Sequence, residues 1–288
     1  MPRPDIAVTG IEETAFAKIN LALHVRARRD DGYHALESVF AFADGGDVLW
    51  AAPAETLSLT IDGPFADGLD AGGDNLVMRA AQALRAEAGV TQGAAMRLTK
   101  NLPVASGIGG GSADAAAALR MLMRLWDVEL SSARLHAIAL ALGSDVPACV
   151  ASRTLFVGGR GEHLDDVVID GLGGAALLLV NPRAPLATGP VFAGWDRIDR
   201  GALEASSIAA LAEARNDLQP PAVALVPAIA DVLAVLGAQA GVTLHRMSGS
   251  GATCFALFDT IADRDGAAAA IGAAHPGWWT MAARIRNA

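Results

Sequence analysis

The clearest hydrophobic pattern is a strict alternation over residues 15–25. Ala17, Ile19, Leu21, Leu23 and Val25 fall on one face, and Lys18, Asn20 and His24 on the other. That period of two predicts a half-buried strand. Asp30-Asp31-Gly32 reads as a turn into a second strand over 33–42. Asp74 or Asn75 caps a helix running to about residue 88, with Leu76, Ala80, Ala83 and Leu84 on one face and Gly89 ending it. A strand over 95–99 precedes an Ala-rich helix over 112–126. A further helix over 131–142 stops at Gly143. Downstream the pattern predicts strands at 176–180, 253–258 and near 278–285. Helices are predicted near 203–214, over 221–236 and, as a short one, after residue 258. Strands and helices intermingle without the regular βαβ rhythm of a dinucleotide-binding domain. The expected fold is α+β with two lobes, the first over 1–160 and the second over 161–288.

Composition narrows the function. Apolar residues make up 52% of the 288 positions, ample for a sizeable core, and the net charge of −9 argues against a general nucleic-acid or acidic-membrane binder. Cys149 and Cys254 sit in apolar stretches without metal or redox spacing and read as small buried hydrophobes. The longest apolar run, 171–180, falls short of the roughly 20 residues a membrane helix needs. No membrane association and a cytoplasmic location are therefore expected. Only two lysines occur, Lys18 and Lys100. Arg does not always replace a compact ammonium, so both are candidates for a specific task.

The segment Pro103-Val104-Ala105-Ser106-Gly107-Ile108-Gly109-Gly110-Gly111-Ser112-Ala113 lies between a predicted strand and a predicted helix. Its glycines allow close approach and positive φ, and the helix that follows aims unpaired N–H groups and a positive dipole end at the same place. A phosphate fits there. The loop lacks the Gly-Lys-Ser/Thr ending of a Walker loop and the context of a dinucleotide fingerprint. Met247-Ser248-Gly249-Ser250-Gly251-Ala252-Thr253, expected between a helix and a strand, is a second candidate anion nest.

Ala17-Lys18-Ile19-Asn20-Leu21 with Asp31-Gly32-Tyr33-His34, the 102–116 glycine segment, Gly143-Ser144-Asp145-Val146-Pro147, Asn216-Asp217-Leu218 and the 247–254 segment together resemble the GHMP kinases (galactokinase, homoserine, mevalonate and phosphomevalonate kinases). Gly-Tyr-His and the triple glycine resemble the branch acting on a cytidine diphosphate conjugate of methylerythritol. The likeness spans nearly the whole chain. It implies a ribosomal-protein-S5-like N-terminal lobe, a ferredoxin-like C-terminal lobe, and ATP with Mg²⁺ as cofactors. It also implies a small-molecule partner and a monomer or homodimer.

The resemblance assigns catalysis to Asp145, as the base accepting the hydroxyl proton, and to Lys18, which holds Asp145 ionised and steadies charge on the attacking oxygen. It places Asn75, Lys100 and residues 103–113 on the ATP side. Ala113 stands where the family has a second serine, which leaves Ser112 or water to meet the metal. On the substrate side it implies cytosine stacking on Tyr33 and Phe40, a hydrogen bond from His34 to its edge, and Asn20 at the methylerythritol hydroxyls. Thr188, Gly249, Ser250 and Gly251 complete that side. The other five histidines lack ligand spacing. Two alternatives stay open: a family member acting on another alcohol, and a nucleotide-binding regulator without turnover.

Overall fold

The computed structural model describes residues 10–287. In chain order the elements are β1 (Ile11–Arg28), β2 (His34–Ala54), β3 (Leu57–Asp62), α1 (Leu76–Ala88), β4 (Gly93–Thr99), α2 (Gly110–Leu125), α3 (Ser132–Leu142), α4 (Val146–Ala151), β5 (Leu155–Gly159) and β6 (His163–Asp166). There follow β7 (Ala176–Asn181), α5 (Thr188–Ala193), α6 (Ile208–Glu213), α7 (Gln219–Leu225), α8 (Ala228–Gly237), β8 (Val242–Met247), β9 (Cys254–Phe258), α9 (Ile261–Ala274) and β10 (Trp279–Arg284). They form two compact units interleaved in sequence. One comprises residues 10–15 with Gly46–Leu102 and Gly111–Val150; the other comprises Phe16–Gly45, Pro103–Gly110 and residues 151–287.

In the first unit the far half of β2 runs antiparallel to β4, from Val48 opposite Thr99 to Ala54 opposite Gly93. β3 lies parallel to β4. A parallel neighbour needs a crossover, and α1 supplies it. Its ends follow the expected chemistry. Asn75 caps it by accepting from Val77 N–H, and Gly89 closes it in the left-handed region at φ 65°. α2 buries an unbroken run from Ala113 to Leu119. A helix buried on all sides over that run belongs inside, and its alanines let neighbours approach closely.

In the second unit the near half of β2 pairs antiparallel with β5, and β5 with β6. A four-stranded antiparallel sheet has the order β10-β7-β9-β8. With helices between β7 and β8 and α9 between β9 and β10, this is the ferredoxin-like connectivity, strand order 4-1-3-2. β7 is buried along its whole length. Its core includes Leu178, Val180, Val191, Leu218, Ile229, Val232, Leu236 and Ile271.

Several elements depart from the expected pattern. The helix expected over 221–236 is two helices, because Pro227 pushes Val226 to φ −134°, ψ 86°, outside the helical region. β2 continues to Ala54, twelve residues past its expected end at residue 42, running through Gly45-Gly46. β1 is buried on both faces from Ala17 to Val25, so Lys18, Asn20 and His24 lie in the interior. Among the described residues no helix is long and apolar enough to cross a membrane.

Candidate active site

The polar face of β1 organises the second unit's candidate site. Lys18 is 4% exposed. Its Nζ donates to Asn20 Oδ1 at 2.8 Å and lies 4.3 Å from the centre of the Phe40 ring, a cation–π contact. Asn20 Nδ2 donates to Ser38 Oγ at 2.9 Å, and Ser38 Oγ donates on to Ala22 O at 2.5 Å. This chain of hydrogen bonds orients the lysine and the asparagine relative to each other.

The glycine loop packs against this strand. Lys18 N–H donates to Ile108 O at 3.0 Å, and Thr253 N–H to Ser106 O at 3.1 Å. Gly107 and Gly109 have φ of 78° and 65°. A Cβ on Gly107 would stand 2.4 Å from Ser248 O, and one on Gly109 would stand 3.1 Å from Lys18 Cε. Glycine is required at both places for approach as well as for backbone angle. Gly110 opens α2, so the loop feeds directly into a helix N-terminus.

The 247–253 segment joins two strands, β8 and β9, and not a helix and a strand as expected. Gly249 and Gly251 take φ of 55° and 85°. Ser250 Oγ and Thr188 Oγ1 share a hydrogen bond of 3.0 Å. Tyr33 is 59% exposed, just ahead of β2, with the Arg160 guanidinium 5.1 Å from its ring. His34 lies 5.0 Å from the Phe192 ring and edge-on to Trp195 at 5.7 Å. Burial first, and then the Arg28 charge, lower the His34 pKa. The imidazole is therefore neutral at pH 7, with one donor and one acceptor nitrogen. Phe192 and Trp195 escaped the sequence reading, because no motif marks a short helix that reaches His34 only through the fold.

The remaining candidates lie in the first unit. Asp145 immediately precedes α4 and is half-buried; its carbonyl accepts from Cys149 N–H at 3.0 Å. Pro147 in the first turn of α4 fixes the backbone there. Both ends of the Asn75 side chain are occupied, Oδ1 by Val77 N–H at 2.9 Å and Nδ2 by Asp70 O at 2.8 Å. Ser112 is half-buried and Ala113 buried in the first turn of α2. Lys100 is 3% exposed and forms ion pairs with Asp47 and, at 2.8 Å, with Asp114. Asp47 Oδ1 also accepts from the backbone N–H groups of Asn101 at 2.6 Å and Leu102 at 2.8 Å. Burial pushes Asp114 up to about 8, with Lys100 opposing and Asp47 reinforcing the rise.

The family models for the GHMP kinases N terminal domain and the GHMP kinases C terminal match residues 75–153 and 198–277. The 4-diphosphocytidyl-2-C-methyl-D-erythritol kinase of Sphingopyxis alaskensis is 57% identical over 96% of this chain and 99% of its own length. The chain belongs to the GHMP kinase family. The enzyme of the same name from Rhizorhabdus wittichii is 53% identical over 99% of this chain and 97% of its own. A crystal structure of a 4-(cytidine 5'-diphospho)-2C-methyl-D-erythritol kinase superposes with a TM-score of 0.81 at 32% identity, covering 96% of this chain and 100% of that one. The expected GHMP kinase fold, mixed helix and strand with a ferredoxin-like sheet, is the fold observed. Membership in a kinase family implies ATP as a substrate.

Proposed function

We propose that this GHMP kinase transfers the γ-phosphoryl group of ATP to the 2-hydroxyl of 4-diphosphocytidyl-2-C-methyl-D-erythritol, in non-mevalonate isoprenoid precursor synthesis. The observation that carries the reading is near-full-length identity of 57% to a kinase named for that substrate. The exposed Tyr33 beside a neutral His34 supports it, since stacking on an aromatic side chain is worth about 1–3 kcal/mol per base. Phe40, Asn20, Thr188, Gly249, Ser250 and Gly251 serve the same substrate.

On the nucleotide side, residues 103–113 receive the phosphates. Gly107 and Gly109 let backbone approach the ligand, and the α2 N-terminus opposes its charge. Asn75 and Lys100 serve from behind. Asn75 shapes the start of α1, and Lys100, committed to Asp47 and Asp114, steadies the entry to the loop. The described residues contain no cluster of three or more His, Cys, Asp or Glu able to hold a metal by themselves. An Mg²⁺ arriving with the nucleotide would be held by Ser112 Oγ together with the phosphates and water. The ion's contribution is to neutralise charge on the phosphates.

Asp145 accepts the proton of the attacking hydroxyl, and Lys18 stabilises the charge that develops on its oxygen. The division at residues 160 and 161 belongs to the same reading, as do a cytoplasmic location and a monomer or homodimer. One family-model match lies on either side of that division. ATP turnover measured against a panel of alcohols tests the proposal. Phosphorylation of the cytidyl substrate is expected, and Asp145→Ala should lower turnover by about 10²–10⁴-fold while ATP still binds. Phosphorylation of mevalonate or homoserine in place of the cytidyl substrate would overturn it. So would ATP binding without turnover on any acceptor, the behaviour of a regulator.

A further inference from the structure

Two consecutive carbonyls of the glycine loop meet two N–H groups of β1, by different means. Lys18 N–H reaches Ile108 O directly at 3.0 Å. Two residues along, Asn20 N–H points the same way, as strand geometry requires. It meets no carbonyl. Instead it donates to Ser248 Oγ at 3.0 Å, and that hydroxyl donates onward to Gly107 O at 2.9 Å. A hydroxyl carries a donor and acceptor lone pairs on one atom, so a single small side chain completes the rung.

Ser248 is fully buried, and its backbone is pinned on every side. Its N–H donates to Thr253 O at 2.9 Å and its carbonyl accepts from Gly251 N–H at 3.0 Å. The carbonyls on either side, Met247 O and Gly249 O, both accept from Asn216 Nδ2 at 2.8 Å. Asn216 is itself 4% exposed and uses its Oδ1 to accept from Leu218 N–H at 2.9 Å.

We infer that Ser248 is a positioning residue for phosphoryl transfer, its hydroxyl setting the spacing between the glycine loop and the strand that carries Lys18 and Asn20. Asn216 holds the backbone from which that hydroxyl projects. The inference rests on the functional reading above. Ser248 acts through Asn20, whose Oδ1 in turn holds Lys18 Nζ at 2.8 Å. Without the hydroxyl, Asn20 N–H and Gly107 O lose their common partner, and the loop can shift against Lys18. A misplacement of about 1 Å costs on the order of 10²-fold in rate.

The test uses the full chain, comparing wild type with Ser248→Ala and Ser248→Cys by steady-state kinetics with ATP and the cytidyl substrate, alongside thermal melts. For Ser248→Ala, kcat should fall about 10–10²-fold, with KM for either substrate within about threefold of wild type, the signature of an interaction felt in the transition state. Ser248→Cys keeps the shape with a weaker donor and should fall between the two. A folded Ser248→Ala with wild-type kcat would overturn the inference, and so would a rise in KM at unchanged kcat. Failure of both variants to fold would overturn it as well, since the hydroxyl would then serve the fold first. A wild type without turnover takes down the functional reading and this inference together. An active wild type with an unaffected Ser248→Ala takes down this inference alone.

Discussion

Lys18 and Lys100 are both buried, at 4% and 3% exposure, yet they meet the glycine loop in different ways. Lys100 is held between the carboxylates of Asp47 and Asp114, and Asp47 spends its other oxygen on two backbone N–H groups at the entrance to the glycine loop. Lys18 donates to the amide oxygen of Asn20 and lies over the face of Phe40, and its backbone N–H is on the loop itself. The Asp47 carboxylate neutralises the Lys100 ammonium where it stands. Burial alone therefore does not distinguish the two lysines; the contact each makes with the glycine loop does.

The comparison can be broken at several points. The largest expected effect is on the structural side. Lys100→Met leaves the buried Asp47 carboxylate without its cation and should cost about 3–5 kcal/mol of stability, read as a shifted urea midpoint. Asp114→Asn should be far milder, because Lys100 keeps Asp47 as its counter-charge. Its effect should also depend on pH. The folded pKa of about 8 lies well above the ordinary aspartate value of about 3.9, so the folded state holds the proton longer than the unfolded one. Wild-type stability falls as pH rises between those values, and Asp114→Asn removes that slope. Melting temperatures taken from pH 5 to 8 should show the variant gaining on wild type as pH rises; a constant gap would contradict the assignment. The smallest effect is at Phe40→Leu, which removes the ring beside Lys18 and should reduce transition-state stabilisation by about 0.5–2 kcal/mol, measured as kcat/KM.

What could be read before folding was whatever local chemistry decides. Asn75 and Gly89 bracket α1 because a cap acts on neighbours a few residues away. The glycine loop announced itself because positive φ and close approach both demand glycine. Long-range pairing was invisible. Asp47 lies 53 residues from Lys100, and nothing in its own surroundings marks it as a partner. The polar face of β1 looked half-buried because alternation reports only that two faces differ, and both proved interior. Pro227 is a local signal too: it splits α7 from α8 inside an apolar run that otherwise reads as one helix. β8 is unmarked although buried Leu244 and Arg246 alternate with exposed Thr243 and His245. The 247–253 segment was in consequence given the wrong neighbour.

Lys18→Met, assayed for turnover and melting temperature side by side with Lys100→Met, tests the central claim most directly. Lys18→Met should lose about 10²–10³-fold in kcat while melting close to wild type. Lys100→Met should melt far lower, and whatever fraction stays folded should still turn over. A Lys18→Met enzyme with wild-type kcat, or one that fails only by unfolding, would contradict the division between a lysine that serves the reaction and one that serves the fold.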